Sequence, residues 1–381
     1  MEALSRVRSL RIAIVGAGSA GVLAALMLQR RGHQVSIFER AKRPRADGCG
    51  ILLLSRGIQA LIDAEIPGLA EGMINAGAIA RRFHFRNSKG ETTNISETDP
   101  SDEPPGLLIH RSAILQQLVG HLDEGSFIGD SDIRQCEQCD RHVSLTMADG
   151  SEWQGDLLIG ADGIFSTVAK AVAPERRLNF LGDRVWRGVV DDPSGFCQPG
   201  DFFIYMRGRG IYANFFHIGV NADGVPQTHW GFFTEEDLPR QREQQRQLLN
   251  QPIPEQALAR LCPKAAAVIL STPPAHLVAN WSFDIDPLPR LSDGRIVLIG
   301  DAAHAMSPSQ GCGMTTGFED AVELCHALDS SSHPDPRVAL KNFDASRRPQ
   351  VHRDQACSRD VSATTGRVRP VVQQQSIDLL P

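Results

Sequence analysis

The apolar run Arg11-Ile12-Ala13-Ile14-Val15 ends directly on Gly16-x-Gly18-x-x-Gly21, and no other feature restricts this chain's fold so tightly. Near-continuous apolar character marks a strand buried on both faces of a parallel sheet. Gly16 permits the tight turn, Gly18 lets the backbone approach a pyrophosphate, and Gly21 allows close helix–strand packing. Ser19 and Ala20 open the next segment, which keeps helical spacing to Arg31 and stops at Gly32, a residue suited to a helix end. Free N–H groups and a positive dipole end make the start of such a helix a phosphate site. Gln34-Val35-Ser36-Ile37-Phe38 reads as a second strand ending on Glu39, 18 residues past Gly21, where an acid can accept both hydroxyls of an adenosine ribose. Arg40 follows it and joins the candidate cofactor contacts. The expectation is an α/β fold with a Rossmann-type dinucleotide-binding domain, although the glycines alone do not separate FAD from NAD.

Composition closes off several alternatives. With 39 Lys+Arg against 45 Asp+Glu, the chain carries a formal charge of −6, which argues against a nucleic-acid partner. No stretch of 18 apolar residues exists to span a membrane. The apolar start, Leu10 to Val15, reads as a strand rather than a signal segment. Eight scattered cysteines in 381 residues suit reduced thiols in a cytoplasm. Cys136-x-x-Cys139 has no second pair at metal-site spacing, so no metal is expected.

Further along, residues 50–75 read as helix-rich, and period-two patterning around Asn87-Ser88-Lys89-Gly90 predicts a hairpin. An amphipathic helix is expected over 112–122, a second hairpin around Ala148-Asp149-Gly150, and a buried strand at 156–160. Between about 180 and 290 aromatic residues and Pro increase. Segments 202–206, 212–220 and 228–233 look like successive antiparallel strands, followed by helices at 240–250 and near 254–270. Strand character returns at 295–299, then helices, and Gln373-Gln374-Gln375 lies in a frayed tail. The expected division is a discontinuous FAD-binding domain (1–76, 104–175 and 278–381) with an inserted antiparallel-sheet substrate domain (77–103 and 176–277).

Two later motifs choose FAD. Asp156-Leu157-Leu158-Ile159-Gly160-Ala161-Asp162-Gly163 and Gly300-Asp301-Ala302-Ala303-His304-Ala305-Met306-Ser307-Pro308 resemble the paired fingerprints of the flavoprotein aromatic hydroxylases, typified by para-hydroxybenzoate and salicylate hydroxylases. Gln310-Gly311-Cys312-Gly313-Met314, Phe318-Glu319-Asp320-Ala321 and Phe343-Asp344-Ala345-Ser346-Arg347-Arg348-Pro349 extend the likeness across about 300 residues. The resemblance implies that Asp301 accepts a ribityl hydroxyl. It implies that Asp162 links the flavin ribose region to the nicotinamide nucleotide, and that Arg111 lies against the flavin or its pyrophosphate. Pro308, Gly311, Gly313, Met314 and Thr315 would follow the flavin. Thr315 stands where the family commonly has Asn. A helix start near the pyrimidine edge would stabilise the anionic reduced flavin. His304 reads as a scaffold residue, and Arg45 to Ile51 sits where the family has a mobile loop.

The same resemblance implies a monooxygenase that uses NADPH or NADH and O2 to oxygenate an aromatic or electron-rich small molecule through a C4a-hydroperoxyflavin. The halogenase Trp-rich signature is absent around Trp153, Trp186, Trp230 and Trp281. A flavin reductase or dehydrogenase, and a non-catalytic FAD-binding protein, stay open alternatives, as do monomer and homodimer. On the substrate side His217, Tyr205, Arg187 and Asn214 are candidates to orient or deprotonate a ligand, with no basis for choosing among them.

Overall fold

The computed structural model describes residues 9–364 apart from 45–48, 100, 102, 193, 209 and 331–334. The glutamine run at 373–375 and most of the loop at 45–51 thus lie outside the described residues. Among those described, six strands form one sheet, in the spatial order Ser292–Asp293, Ile296–Leu298, Leu157–Gly160, Arg11–Val15, Gln34–Phe38 and Phe127–Ile128. All joints are parallel except the first. Ile12, Ile14, Leu158, Ile159 and Val297 are fully buried, as both faces of a parallel sheet require. Register decides the function of this layer. Val15 lies beside Gly160, and Gly160 beside Leu298. The three motifs that follow those strands therefore meet at one carboxyl edge, where open α/β sheets bind ligands.

Two helices close against that edge. Ser19–Arg30 and Gly313–Ser330 cross near Ala20, where a Cβ on Gly317 would sit 3.1 Å from the Ala20 methyl and one on Gly300 would sit 3.4 Å from it. The long helix Pro336–Thr364 packs on Gly313–Ser330.

A seven-stranded sheet forms the second half, ordered Val278–Ile285, Leu178–Asp191, Pro226–Glu235, Ile211–Val220, Asp201–Gly208, Arg82–Arg86 and Thr92–Glu97. Only the Asp201–Gly208/Arg82–Arg86 joint is parallel. Two features depart from the sequence expectation. Val278–Ile285, expected beyond the boundary at 277, pairs instead along Leu178–Asp191. Gly50–Leu53, expected within helix-rich sequence, is a strand on Leu107–His110. A short apolar run is ambiguous between helix and strand, and here the free edge of Leu107–His110 takes it. The helix expected near 254–270 is two, Glu255–Leu258 and Pro263–Leu270. Pro263 holds Cys262 extended, at φ −61° and ψ 145°, because the proline ring disfavours a helical residue before it.

Candidate flavin site and substrate face

At the carboxyl edge of the parallel sheet the glycines divide their work. Gly16 has φ +102°, and a Cβ there would meet the Ala161 carbonyl oxygen at 2.3 Å, so it is fixed by the fold. Gly18 has an ordinary extended backbone, and the nearest atom to a Cβ there is the Ala161 oxygen at 4.0 Å. Its missing side chain leaves a cradle at the start of helix Ser19–Arg30, with the Ser19 and Ala20 N–H groups at its mouth. Glu39 accepts N–H bonds from Ala17 and Ala41, each at 3.0 Å, and so ties the glycine turn to the end of the second strand. Arg40 is exposed beside it.

Across the edge, Asp301 begins helix Asp301–His304 with its side chain exposed and no hydrogen bond to it among the described residues. Its Oδ1 lies 3.9 Å from where a Gly313 Cβ would be, so the acid faces the first turn of helix Gly313–Ser330. Gly311 (φ +68°) turns the chain into that helix. Pro308 is exposed and Met314 half-buried on the approach. Arg111, exposed at the head of helix Arg111–Val119, gives its backbone N–H to the Cys49 carbonyl at 2.9 Å. An open cradle after Gly18, an unengaged acid at Asp301 and a helix start opposite them fit the pyrophosphate, ribityl chain and ring edge of FAD.

Two candidates serve the fold at their side chains. Asp162 accepts from Ser166 Oγ, from Thr167 N–H at 2.7 Å and from Val168 N–H at 3.3 Å. It thereby holds the turn before helix Ala169–Val172. Burial pushes its carboxyl up, against those hydrogen bonds. Thr315 is fully buried, and its hydroxyl accepts the Leu54 N–H at 3.2 Å. Only the Thr315 backbone is left to face a ligand.

The antiparallel sheet sorts the substrate candidates by parity, since alternate residues of a strand face opposite sides. Trp186, Phe203, Tyr205, Phe215, Trp230 and Phe232 cluster with residues 257–269 on the outer face. Tyr205 sits there bonded to Arg86 Nη1 at 3.3 Å and to Cys262 Sγ at 3.7 Å. His217 shares the parity of Phe215 and is buried. The other face meets the parallel-sheet half: Phe202, Phe216 and Val189 pack with Leu52 and Leu108, and a Cβ on Gly50 would collide with Phe216 and His229. On this inner face one row runs across five strands, Ile204, Asn214, Gly231, Arg187 and Val278, each paired with the next. Of the four candidates, Arg187 and Asn214 thus stand together on the inner face, and Tyr205 and His217 on the outer.

The chain matches the FAD binding domain family over residues 9–354. The chain belongs to that family. It is 30% identical over 384 residues to salicylate hydroxylase of Pseudomonas putida, covering 92% of this chain and 84% of that protein. It is 29% identical over 352 residues to aurachin C monooxygenase/isomerase of Stigmatella aurantiaca, covering 89% and 85%. The crystal structure of Klebsiella pneumoniae HpxO complexed with FAD and uric acid superposes with a TM-score of 0.79 at 24% identity, over 93% of this chain and 88% of that one. As a member of this family of flavin monooxygenases, the chain is an FAD-dependent oxidoreductase.

Asp320 and Arg347 stand in the sequence motifs, but residue type alone leaves their side-chain partners unread. Asp320, fully buried, accepts the Gly300 N–H at 2.8 Å and bonds His304 Nε2 at 2.6 Å through one oxygen. Its other oxygen takes Arg347 Nε–H at 2.7 Å. Arg347 also donates to the Thr316 carbonyl and to Glu319. Burial alone would raise the Asp320 carboxyl, but His304 and Arg347 hold it at about 2. Burial alone would lower His304, and Asp320 raises it instead. His304 is thereby a scaffold group tying the Gly300-Asp301 turn to helix Gly313–Ser330. Arg176 was also unread: its Nη2 donates to the Asp301 carbonyl at 3.3 Å, and its charge lies near both Asp162 and Asp301. A cation shortly after the Asp162 turn was the available signal. Among the described residues no helix is long and apolar enough to cross a membrane.

Proposed function

We propose that this flavin monooxygenase hydroxylates a small aromatic molecule held between the flavin edge and the inner face of the seven-stranded sheet, with NADPH or NADH as reductant. The observation that supports the reading is the row Asn214–Gly231–Arg187, which puts two polar side chains between two aromatic groups on the inner face. Phe202 and Phe216 stack at 4.8 Å on one side of it, and Tyr212 and Phe233 meet edge-on at 5.1 Å on the other. FAD, when bound, supplies the redox and oxygen chemistry.

The chain's own residues then have three tasks. Gly18, Asp301 and the Gly313 helix start seat the cofactor. The phenyl rings exclude water and hold the substrate ring face. Arg187 and Asn214 fix its orientation, which converts a chance encounter into a directed one. A cavity of about 820 Å³ opens at the sheet edge next to this row. Its wall includes Val278, the cross-strand partner of Arg187, and Val189, its neighbour on the same face.

The cofactor half of the chain then comprises 1–76, 104–175 and the residues after Ile285, with Val278–Ile285 reassigned to the substrate half. All eight cysteines are free, which favours a reducing, cytoplasmic setting. Oxygen uptake matched to NAD(P)H oxidation and to a hydroxylated product, in the presence of a small phenol or aniline, tests the reading. NAD(P)H oxidation without oxygen consumption would assign a reductase instead.

A further inference from the structure

We infer that the aromatic substrate carries an uncharged, amide-bearing arm, which lies extended along the open edge of strand Leu178–Asp191 at Val189 and Asp191. This rests on the ring binding at the inner face of the sheet, and adds what is attached to that ring.

Strand Leu178–Asp191 outruns one of its neighbours. On one side it pairs with Pro226–Glu235 as far as Asp191, opposite Gln227. On the other, Val278–Ile285 begins opposite Arg187, so residues 188–191 have no strand partner on that side among those described. The backbone bonds of an antiparallel pair alternate along the strand. The Asp192 N–H donates to the Pro226 carbonyl at 2.7 Å, and the Glu236 N–H to the Gly182 carbonyl at 3.0 Å. Even-numbered residues therefore bond to Pro226–Glu235, and Val189 and Asp191 turn their N–H and C=O groups to the open side. Neither backbone has a hydrogen bond there among the described residues. The segment that comes opposite does not close the gap by pairing, since Pro273 and Pro274 have no N–H to give.

That open edge is a wall of the cavity of about 820 Å³, whose lining includes Val189 and Asp191 and also Pro273, Ala275 and Val278. Apart from the exposed His276, the polar side chains of the lining are each engaged at least once. Asn221 accepts the Asp223 and Val225 N–H groups, and Gln227 donates to the Asp191 carboxylate at 3.0 Å. Ser271 donates to the Val268 carbonyl, and His110 accepts the Ser112 N–H. The strand edge stays unengaged. An extended amide matches it, because it offers one donor and one acceptor per residue at the same repeat. The exposed Asp191 carboxylate in the wall disfavours an anionic arm. Val189 lies two residues beyond Arg187, about 7 Å along the strand. A ring on the Arg187 row and an arm at Val189 thus fit one molecule.

The test titrates FAD-loaded enzyme with three ligands, following the flavin absorbance: para-hydroxybenzamide, para-hydroxybenzoyl-glycinamide, and the analogue of the latter with an ester oxygen in place of the N–H beside the ring. The glycinamide should bind about tenfold more tightly than the plain amide, the worth of a pair of hydrogen bonds. The ester analogue should lose most of that gain. Val189→Pro removes the N–H on the open side and spares the ladder to Pro226–Glu235, so it should cancel the gain with FAD content unchanged. Ala275→Trp fills the cavity from an exposed turn and should also cancel it, with binding of the plain amide kept within about twofold. A glycinamide that binds no more tightly than the plain amide, or an ester analogue that keeps the gain, overturns the inference. So does a gain that survives both substitutions. If Val189→Pro fails to load FAD, Ala275→Trp and the ligand series still decide. Oxygen-coupled turnover of para-hydroxybenzamide with no gain from the arm removes the arm and leaves the hydroxylase reading standing. A gain in binding with no NAD(P)H oxidation by any of the three keeps the arm and removes that reading.

Discussion

Arg347 donates its Nε–H to Asp320 at 2.7 Å in a fully buried contact, and through Asp320 it holds the backbone of Gly300 next to Asp301, the acid facing the first turn of helix Gly313–Ser330. The arrangement joins a helix near the end of the chain to a turn at the edge of the parallel sheet. Removing the cation leaves a buried carboxylate whose remaining cationic partner among the described residues is His304. Arg347→Met should therefore cost about 3–5 kcal/mol of stability and lower bound FAD at a given FAD concentration. Thermal unfolding with and without added FAD measures both effects.

The two leading glycines predict opposite outcomes. Gly16→Ala strains a left-handed backbone and strikes the Ala161 carbonyl, so the apoprotein itself should lose stability. Gly18→Ala fits its backbone region and meets nothing in the protein. The apoprotein should melt as wild type while FAD binds about 10–100-fold more weakly, because the new methyl occupies the cradle. Fluorescence titration of apoprotein with FAD separates the two.

Sheet parity makes a third prediction. Tyr205→Phe and His217→Asn alter the outer face and should leave kcat and KM within about twofold. The tyrosine change should cost about 1 kcal/mol for its lost hydrogen bonds. Gly231→Ala, on the inner face, should lower kcat/KM about tenfold or more at unchanged FAD content. A kinetic effect of Tyr205→Phe matching that of Gly231→Ala would refute the assignment of faces.

His229 gives the pH dependence a sign. Burial, with Arg187 and His110 nearby, pushes its imidazole down to about 3. In the unfolded chain it titrates near about 6.5. Between these values the unfolded state holds a proton that the folded state does not, so stability falls as pH falls through this window. The contribution is up to about 2 kcal/mol between pH 7 and pH 5. His229→Gln should flatten that part of a stability–pH curve measured by denaturant unfolding.

Sequence reading reached the cofactor layer because its physics is local. A buried strand, three glycines and an acid occupy one continuous stretch, and the register that unites the motifs follows from parallel pairing. It went no further with Asp162 and Thr315, whose side chains are engaged by neighbours that residue type does not announce. The substrate face was legible in composition but not in orientation. Phe202 and Phe203 differ in nothing but parity, and parity needs the cross-strand register. Leu178–Asp191, the 14-residue strand that carries Arg187, hid because both of its faces are mostly buried and its Arg, Asn and Asp residues break the period-two signal.

The reach of Arg347 into the Gly300 turn bears on how the protein matures. The residues proposed to seat FAD are spread from Gly16 to the Gly313 helix, and the tie that holds the Gly300 turn among them comes from residue 347. A ribosome-bound chain can pair its first strands early, yet it has no closed seat for the cofactor until that helix emerges. On the proposed seat, flavin capture is expected among the final steps of biogenesis, and a chain clipped before residue 347 should stay colourless even where its glycine turn is complete.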